Sequence, residues 1–544
     1  MKILLTIYLF AISFISTSQI NFSEIDSLMN STYPQNEPGA SILISKKGNI
    51  IYKKAFGLSN LEHKIKNTPE HIFQIGSITK QFTAASILML VEQGKISLND
   101  PITKYIEDYP THNQNITIHH LLTHTSGIKN YTTMPEWWKV WRQDFTPTEM
   151  IGVFKNQPLE FKPGEKFSYS NSGYFLLGYI IEKISGLTYS EFIEKNIFKP
   201  LGMYNSLYGS HTKLIQNRAN GYQKDTEYVN AEYLSLTQPY AAGSIMSNVN
   251  DLFLWNQAIM SFKLLKKETI QKAFTNYKLT NGSSINYGYG WIIDEINGSP
   301  TIEHSGGIFG FSSNGIYLPN EDVYVIVLTN KDSDTPGEIS TKIASIVIEK
   351  PYKTAKSTIL LDSKYSKSLT GNYEFEDGTT RVITFEDGQL YSQRIGGLKT
   401  KLIAINKTSF AFESNVFSYL KFIIDKREKH QVIYSERIKT INGFKSENKK
   451  QTPKEVTIDQ AILQKYIGIY ELAPGFTFTF TLENGKLMCQ ATGQEKLELY
   501  PENETKFFLK VVDAKINFFA NEEGKFDKMT LYQNGREISG KRMK

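Results

Sequence analysis

One cysteine, Cys489, is all that this 544-residue chain contains. A lone cysteine cannot close an internal disulfide, so the fold must be held by its core. In the strand-like run KLMCQ it reads as a small buried hydrophobe, not as a catalytic thiol. There is no long basic block. The net charge of +6 is small for this length and both signs are scattered along the chain, which gives nucleic-acid binding no support. Beyond the N-terminus no segment is apolar enough to cross a bilayer, so no stable membrane span is expected. No G-x-x-x-x-G-K-[ST] loop and no convincing dinucleotide fingerprint occurs. His120 and His124 in HHLLTHTSG have i,i+4 spacing, but the Glu of H-E-x-x-H is missing and Thr125-Ser126-Gly127 ends the segment, so no metal site is expected.

The composition is that of a folded protein, 40% hydrophobic and 21% charged, and the length favours several domains. Residues 1–18, within MKILLTIYLFAISFISTSQI, resemble a secretory signal peptide cut near Ser18 or Gln19. The protein is therefore expected in the periplasm or outside the cell. The apolar run is short for the alternative, an N-terminal anchor. Residues 19–352 mix helical and strand patterns. An amphipathic helix is expected at 20–33, a hairpin around Lys46-Lys47-Gly48-Asn49, a helix at 78–93 ending at Gly94, two strands around Pro319-Asn320, and a last helix near 337–350. This predicts an α+β domain: an antiparallel sheet flanked by helices and built from both ends of the region.

After Pro351 the pattern changes to short strands and turns, and it repeats. Leu369-x-Gly371-x-Tyr373 matches Tyr466-x-Gly468-x-Tyr470, Asp387-Gly388-Gln389-Leu390 matches Asn484-Gly485-Lys486-Leu487, and Gln393 matches Gln490, all at an offset of 97 residues. Two small barrel-like β modules are expected, at 366–445 and 461–544, with linkers at 353–365 and 446–460. Closure of each would remove exposed edges.

Three polar motifs in the first region carry chemistry. In IFQIGSITKQF, Ser77 stands at the start of an apolar helix and Lys80 lies one turn later on the same face. A serine hydroxyl needs a base before it can act as a nucleophile. Lys80 meets that need if it is neutral, or if it lowers the pKa of another base. S-x-x-K also occurs at Ser126, Ser210, Ser418 and Ser446, so the tetrapeptide alone could be a helix cap with a surface lysine. In FKPGEKFSYSNSGY, Tyr169 precedes a second apolar helix and could be that other base, its phenolate stabilised by a cation such as Lys80. Asn171 could bind Lys80 and a substrate carbonyl or amide. In IEHSGGIFG, His304-Ser305-Gly306-Gly307 is expected to open a strand whose glycines admit a ligand to the backbone. The N–H groups of Gly307 and Ser77 could then hold an oxyanion.

Together these residues resemble the serine β-lactamase and penicillin-binding protein superfamily, in its class C β-lactamase-like branch of D-alanyl-D-alanine carboxypeptidases, D-aminopeptidases and esterases. The motifs run in family order over roughly residues 20–350: GSITK, HLLTHTSG, FSYSNSGY, PLGM, AAGSIMSNVNDLFLW, YGYGW and HSGG. The resemblance implies an acyl-enzyme on Ser77, a proton relay through Lys80 and Tyr169, and no cofactor. Asn171, His304, Ser305, Gly306 and Gly307 would bind a small-molecule or peptide substrate, or cell-wall fragments. One departure matters. Where many relatives have Lys-Thr-Gly, this chain has His304-Ser305-Gly306. Histidine is mostly neutral above pH 7, and Lys80 would push its pKa lower still. A free substrate carboxylate should be held less tightly, which favours an ester or peptide hydrolase over penicillin resistance. The alternative function is a non-catalytic binding protein for wall fragments or peptides that keeps the fold.

Overall fold

The computed structural model describes residues 20–224, 226–332, 336–350, 359, 361–395, 399–413, 415, 417–424, 430–446, 455–473, 476–483, 485–491, 496–509, 514–533 and 536–543. The expected signal peptide, residues 1–18, lies outside them. Helix α1, Phe22–Thr32, starts at Asn21, whose side chain accepts from the Glu24 N–H, and buries Ile25 and Met29. Strands β1, Ala40–Lys46, and β2, Asn49–Phe56, form the predicted hairpin. Its turn residues Lys47 and Gly48 both have positive φ, 52° and 73°, as a tight two-residue hairpin requires.

Strands β3, Ile292–Ile296, β4, Ser299–Ile308, β5, Phe311–Leu318, and β6, Val323–Thr329, come from the far end of the region. They join the first hairpin in an antiparallel sheet of order β3-β4-β5-β6-β1-β2. Every residue of β5 and β6 is buried, so the sheet is covered on both faces. Among the described residues, α1 and the last helix of the domain, Pro336–Val347, pack on one face around Ile42, Val325 and Ile343. The helical middle of the chain covers the other.

At the centre of that helical part is α2, Thr79–Glu92, followed later in the chain by α3, Asn171–Ser185. Residues 79–90 are all buried, so α2 has no solvent face and its polar groups need internal partners. They have them: Thr83 donates to the Ala241 carbonyl at 2.6 Å, and Gln81 accepts from the Trp255 indole at 3.0 Å. Phe82 stacks on Trp255 at 4.1 Å and meets Phe198 edge-on at 5.8 Å. This packing holds the N-terminus of α2 rigidly against the sheet.

The C-terminal modules are two closed eight-stranded antiparallel barrels. In each, the first strand pairs with the last: Asn372 with Ser446, and Tyr470 with Arg542. The repeated motif has a structural reason. Gly371 and Gly468 adopt φ of +139° and +149°, and Tyr373 and Tyr470 two residues on are wholly buried in their barrels. The repeat also extends further back than the sequence motifs show. Asp362 and Asp459, again 97 apart, cap short helices at Ser363–Ser368 and Gln460–Leu463 that straddle the expected linker ends. Cys489 is buried inside the second barrel, where burial pushes its thiol up to about 12.

The first barrel is locked to the six-stranded sheet. Arg437, at the tip of the hairpin His430–Glu436/Lys439–Ser446, is bidentate on Glu303 of β4, at 2.7 and 3.0 Å. It also donates to Thr301 Oγ1 at 2.9 Å and the Glu295 carbonyl at 2.8 Å, and lies 3.3 Å from Asp294. Phe417 of the same barrel is buried in the cluster between the sheet and α1. No helix among the described residues is long and apolar enough to cross a membrane.

Candidate active site

Of residues 71–90, every one is buried except Ser77, which is partly exposed. It lies in the 3-10 turn Gly76–Ile78 that leads directly into α2, so its hydroxyl stands at the positive end of that helix. Lys80 follows one turn later and is fully buried. Its ammonium-bearing atom has three oxygen neighbours: Ser77 Oγ at 3.1 Å, Asn171 Oδ1 at 2.8 Å and the Ala242 carbonyl at 2.8 Å. No carboxylate among the described residues forms an ion pair with it. Burial holds its pKa well below the ordinary 10.5.

Two of the three neighbours are carbonyl oxygens, which can only accept. A neutral Lys80 therefore directs both its hydrogens at Asn171 and Ala242. Its lone pair is left facing Ser77 Oγ, ready to accept the hydroxyl proton. Of the two bases left open by the sequence, the geometry favours the lysine. The Tyr169 residue is partly exposed, but its hydroxyl is sealed from solvent with no hydrogen-bond partner among the described residues, and burial raises its pKa instead of lowering it. Lys80 Nζ sits over the tyrosine ring, 4.7 Å from its centroid, not on its hydroxyl. Tyr169 is thus a neutral phenol beside the nucleophile.

Asn171 is the first residue of α3, capped by Ser170, which accepts from the Gly173 N–H. The cap fixes the Asn171 amide, which also donates to Thr132 Oγ1 at 3.3 Å. His124, in the segment read as a metal decoy, lies beneath this turn. Its ring is 4.2 Å from that of Tyr169 and its Nδ1 accepts from the Ser170 N–H at 3.1 Å. His120 is occupied elsewhere, closing the capping box of its own short helix with Thr117. No group of three or more His, Cys, Asp or Glu placed to hold a metal occurs among the described residues.

The HSGG motif does not open its strand. Strand β4 begins at Ser299, because Ser299–Glu303 pair with β3, and His304–Gly307 occupy its second half, where that pairing has ended. His304 is buried and points inward. Its Nδ1–H donates to the Ser305 carbonyl at 2.6 Å, and its Nε2 accepts from the Tyr287 hydroxyl at 2.9 Å. Burial, reinforced by Lys80, pushes its pKa down to about 3, so it carries no charge at neutral pH. Ser305 and Gly307 are exposed, while Gly306 is buried. The two glycines have different reasons. A Cβ on Gly306 would lie 2.0 Å from the Ile75 carbonyl, whereas one on Gly307 would meet nothing within 4 Å. Gly306 lets the strand lie against the Ile75–Gly76 turn; Gly307 leaves its backbone open to a ligand. The Gly307 backbone also lies against Gly76, the residue before Ser77, since a Cβ on Gly76 would be 2.8 Å from Gly307 N. Ser77, Lys80, Tyr169, Asn171 and the His304–Gly307 strand therefore meet in one place. Sequence reasoning missed three contributors: the Ala242 carbonyl, His124 and Tyr287. The latter two lie in the HLLTHTSG and YGYGW motifs.

A partly exposed serine with a buried, carboxylate-free lysine on its own helix, beside a glycine strand, is an arrangement in which a serine hydroxyl can give its proton to an amine. The family model described as Beta-lactamase matches residues 26–347, and the chain belongs to that family of serine hydrolases. Penicillin-binding protein 4* of Bacillus subtilis (strain 168) is 30% identical over 414 residues, covering 71% of this chain and 90% of that protein. Among solved structures, the octameric penicillin-binding protein homologue from Pyrococcus abyssi is 28% identical with a TM-score of 0.56, covering 78% of this chain and 100% of that one. The penicillin binding protein from Bacillus halodurans is 28% identical with a TM-score of 0.52, over 60% and 98% of the two chains. Residues 452–542, which include the second barrel, match a Domain of unknown function (DUF3471).

Proposed function

We propose that the protein is a secreted serine hydrolase that opens amide or ester bonds, D-amino-acid peptides, β-lactam-like compounds and small esters among them, through an acyl-enzyme on Ser77. The observation that carries this reading is the set of three bonds around Lys80. Ser77 Oγ attacks the substrate carbonyl carbon as the neutral Lys80 amine takes its proton. The new ammonium has three hydrogens and keeps its two carbonyl acceptors. Its third hydrogen, the one taken from Ser77, is then available to the leaving group, beside the Tyr169 phenol, which stays neutral because burial raises its pKa. The N–H groups of Ser77 and Gly307 would hold the oxyanion, each such donor typically being worth ~10²–10³ in rate. Water then releases the acyl group with Lys80 again as base.

The neutral His304 leaves this strand without the cation that would attract a terminal carboxylate, which favours peptides, amides and esters uncharged at that end. Intact acylation machinery disfavours the alternative of a non-catalytic binding protein. The test is a comparison of p-nitrophenyl acetate, D-amino-acid p-nitroanilides and nitrocefin with wild type and Ser77→Ala. Turnover of at least one class is expected, with a loss of up to ~10⁶ in the variant. Equal turnover by both proteins, or none by wild type, would contradict the proposal.

A further inference from the structure

A cavity of ≈ 380 Å³ opens at the oxyanion end of the active-site strand. Three chain segments place it there. Ile308 and Phe309, which line it, directly follow Gly307. Gln74, on the short strand Phe73–Gln74, precedes Ser77 by three residues. Arg218 belongs to a segment running parallel beside that strand: it bridges to Ile72, and the Ala219 N–H donates to the Ile72 carbonyl at 3.0 Å. Tyr233 adds an aromatic wall, and Phe309 is backed by Trp141 at 4.8 Å.

Two polar side chains in this cavity are under-used. Gln74 is only 9% exposed, and its side-chain amide, which makes no hydrogen bond among the described residues, keeps its polar atoms open to the cavity it lines. Arg218 is half-buried, and among the described residues its guanidinium makes one side-chain bond, to the Ser210 carbonyl at 3.3 Å, and no ion pair. The acidic side chain in the lining, Glu232, is already bonded to Arg142 at 2.9 Å. A guanidinium drawn out of water without a counter-charge is unfavourable, and burial lowers its pKa accordingly. Both features are resolved by an anion that accepts from the guanidinium fork and from the Gln74 amide.

We infer that this cavity is a subsite for a carboxylate on the acyl portion of the substrate, held by Arg218 and Gln74 while the scissile carbonyl lies at Ser77. The inference rests on the hydrolase reading and narrows its substrate class. It also moves the anion-binding cation. The strand position that bears lysine in many relatives is the uncharged His304, and the available positive charge stands on the other side of the oxyanion hole. One strand residue spans ~3.3 Å, so the cavity begins about one residue length beyond Gly307. A carboxylate three or four bonds from the reacting carbonyl fits that reach.

The test is calorimetric binding to the Ser77→Ala protein of N-glutaryl-D-alanine amide and of its uncharged analogue, in which a carboxamide replaces the glutaryl carboxylate. The carboxylate compound should bind about tenfold to a hundredfold more tightly, the usual range for a hydrogen bond to a charged partner. That preference should vanish in Ser77→Ala/Arg218→Gln and shrink several-fold in Ser77→Ala/Gln74→Leu, which keeps the inference testable if the arginine variant does not fold. Equal affinity for the two compounds, no measurable binding of either, or a preference untouched by both substitutions would overturn it. Fluorophosphonate labelling of wild type reports separately on the hydrolase reading. Label at Ser77 with no carboxylate preference sinks the subsite alone, whereas a carboxylate preference without label sinks the acyl-enzyme and leaves an anion-binding cavity.

Discussion

Replacing Lys80 by methionine removes the amine while keeping most of the side-chain length. Three bonds are lost, and the Asn171 and Ala242 oxygens are left facing a thioether. An unmet buried acceptor costs about 1–3 kcal/mol. That penalty is offset in part because methionine, unlike an amine, suits a fully buried site. A net loss of about 2 kcal/mol leaves a domain of ordinary stability, ~5–15 kcal/mol, folded. The kinetic effect is far larger. A positioned general base contributes about 10²–10⁴, so Lys80→Met should label with a fluorophosphonate at least ~10² more slowly. The pH profile carries a second signature. Burial places the pKa of Lys80 well below 10.5, so wild-type acylation should fall as pH drops through that lowered pKa and the amine takes up a proton. Stability follows the same sign. The unfolded chain binds the proton below 10.5 and the fold does not until the lower pKa is reached, so stability is lost as pH falls across that interval. Both dependences should be absent from the variant. The assay is labelling rate by intact mass across pH, with circular dichroism to confirm folding. A folded Lys80→Met protein that labels within about threefold of wild type, or keeps the alkaline rise, would refute the assignment of the base.

Three further outcomes follow from particular contacts. Gly306→Ala should cut acylation by roughly 10²–10³, because its Cβ would collide with the Ile75 carbonyl and push the strand from Ser77, whereas Gly307→Ala should stay within about tenfold of wild type; the reverse order in labelling rates would contradict the roles given to the two glycines. Arg437→Ala leaves the Glu303 carboxylate buried and unpaired, so it should destabilise the catalytic domain by about 3–5 kcal/mol in urea melts, and Glu303→Gln in the same protein should restore part of that; no recovery would show that the pair does not act as a unit. Stability should also decline on acidification from about pH 6.5 towards 3, since the unfolded chain gains a proton at 6.5 that buried His304 resists down to about 3, and a flat urea midpoint over that range would contradict its buried neutral state.

Much of the site is legible in the sequence, because it rests on local spacing. Ser77 and Lys80 share a helix face, and Ser170 and Asn171 form a recognisable helix start. The barrels announced themselves through their repeat, since each copy must solve the same turn and core problem with the same glycines and tyrosines. Other parts were not legible. The Ala242 contact uses a backbone carbonyl, which any residue supplies. His124 has in the sequence only its i,i+4 spacing from His120 and a place in the HLLTHTSG motif, and neither gives it a role. Its role comes from packing against Tyr169, 45 positions away in the chain. Gly306 and Gly307 look alike in sequence and differ only in what lies over them. Arg437 is a single basic residue in a hairpin, and its partner Glu303 is 134 residues distant. Contacts of that kind depend on how finished modules dock, and no local pattern encodes them.

The account stands or falls on where a covalent bond forms. Peptide mapping by mass spectrometry after exposure of wild type and Ser77→Ala to a fluorophosphonate addresses it directly. The expected result is a single adduct on Ser77 in wild type and none in the variant. An adduct on any other residue, or one that persists in Ser77→Ala, would contradict it.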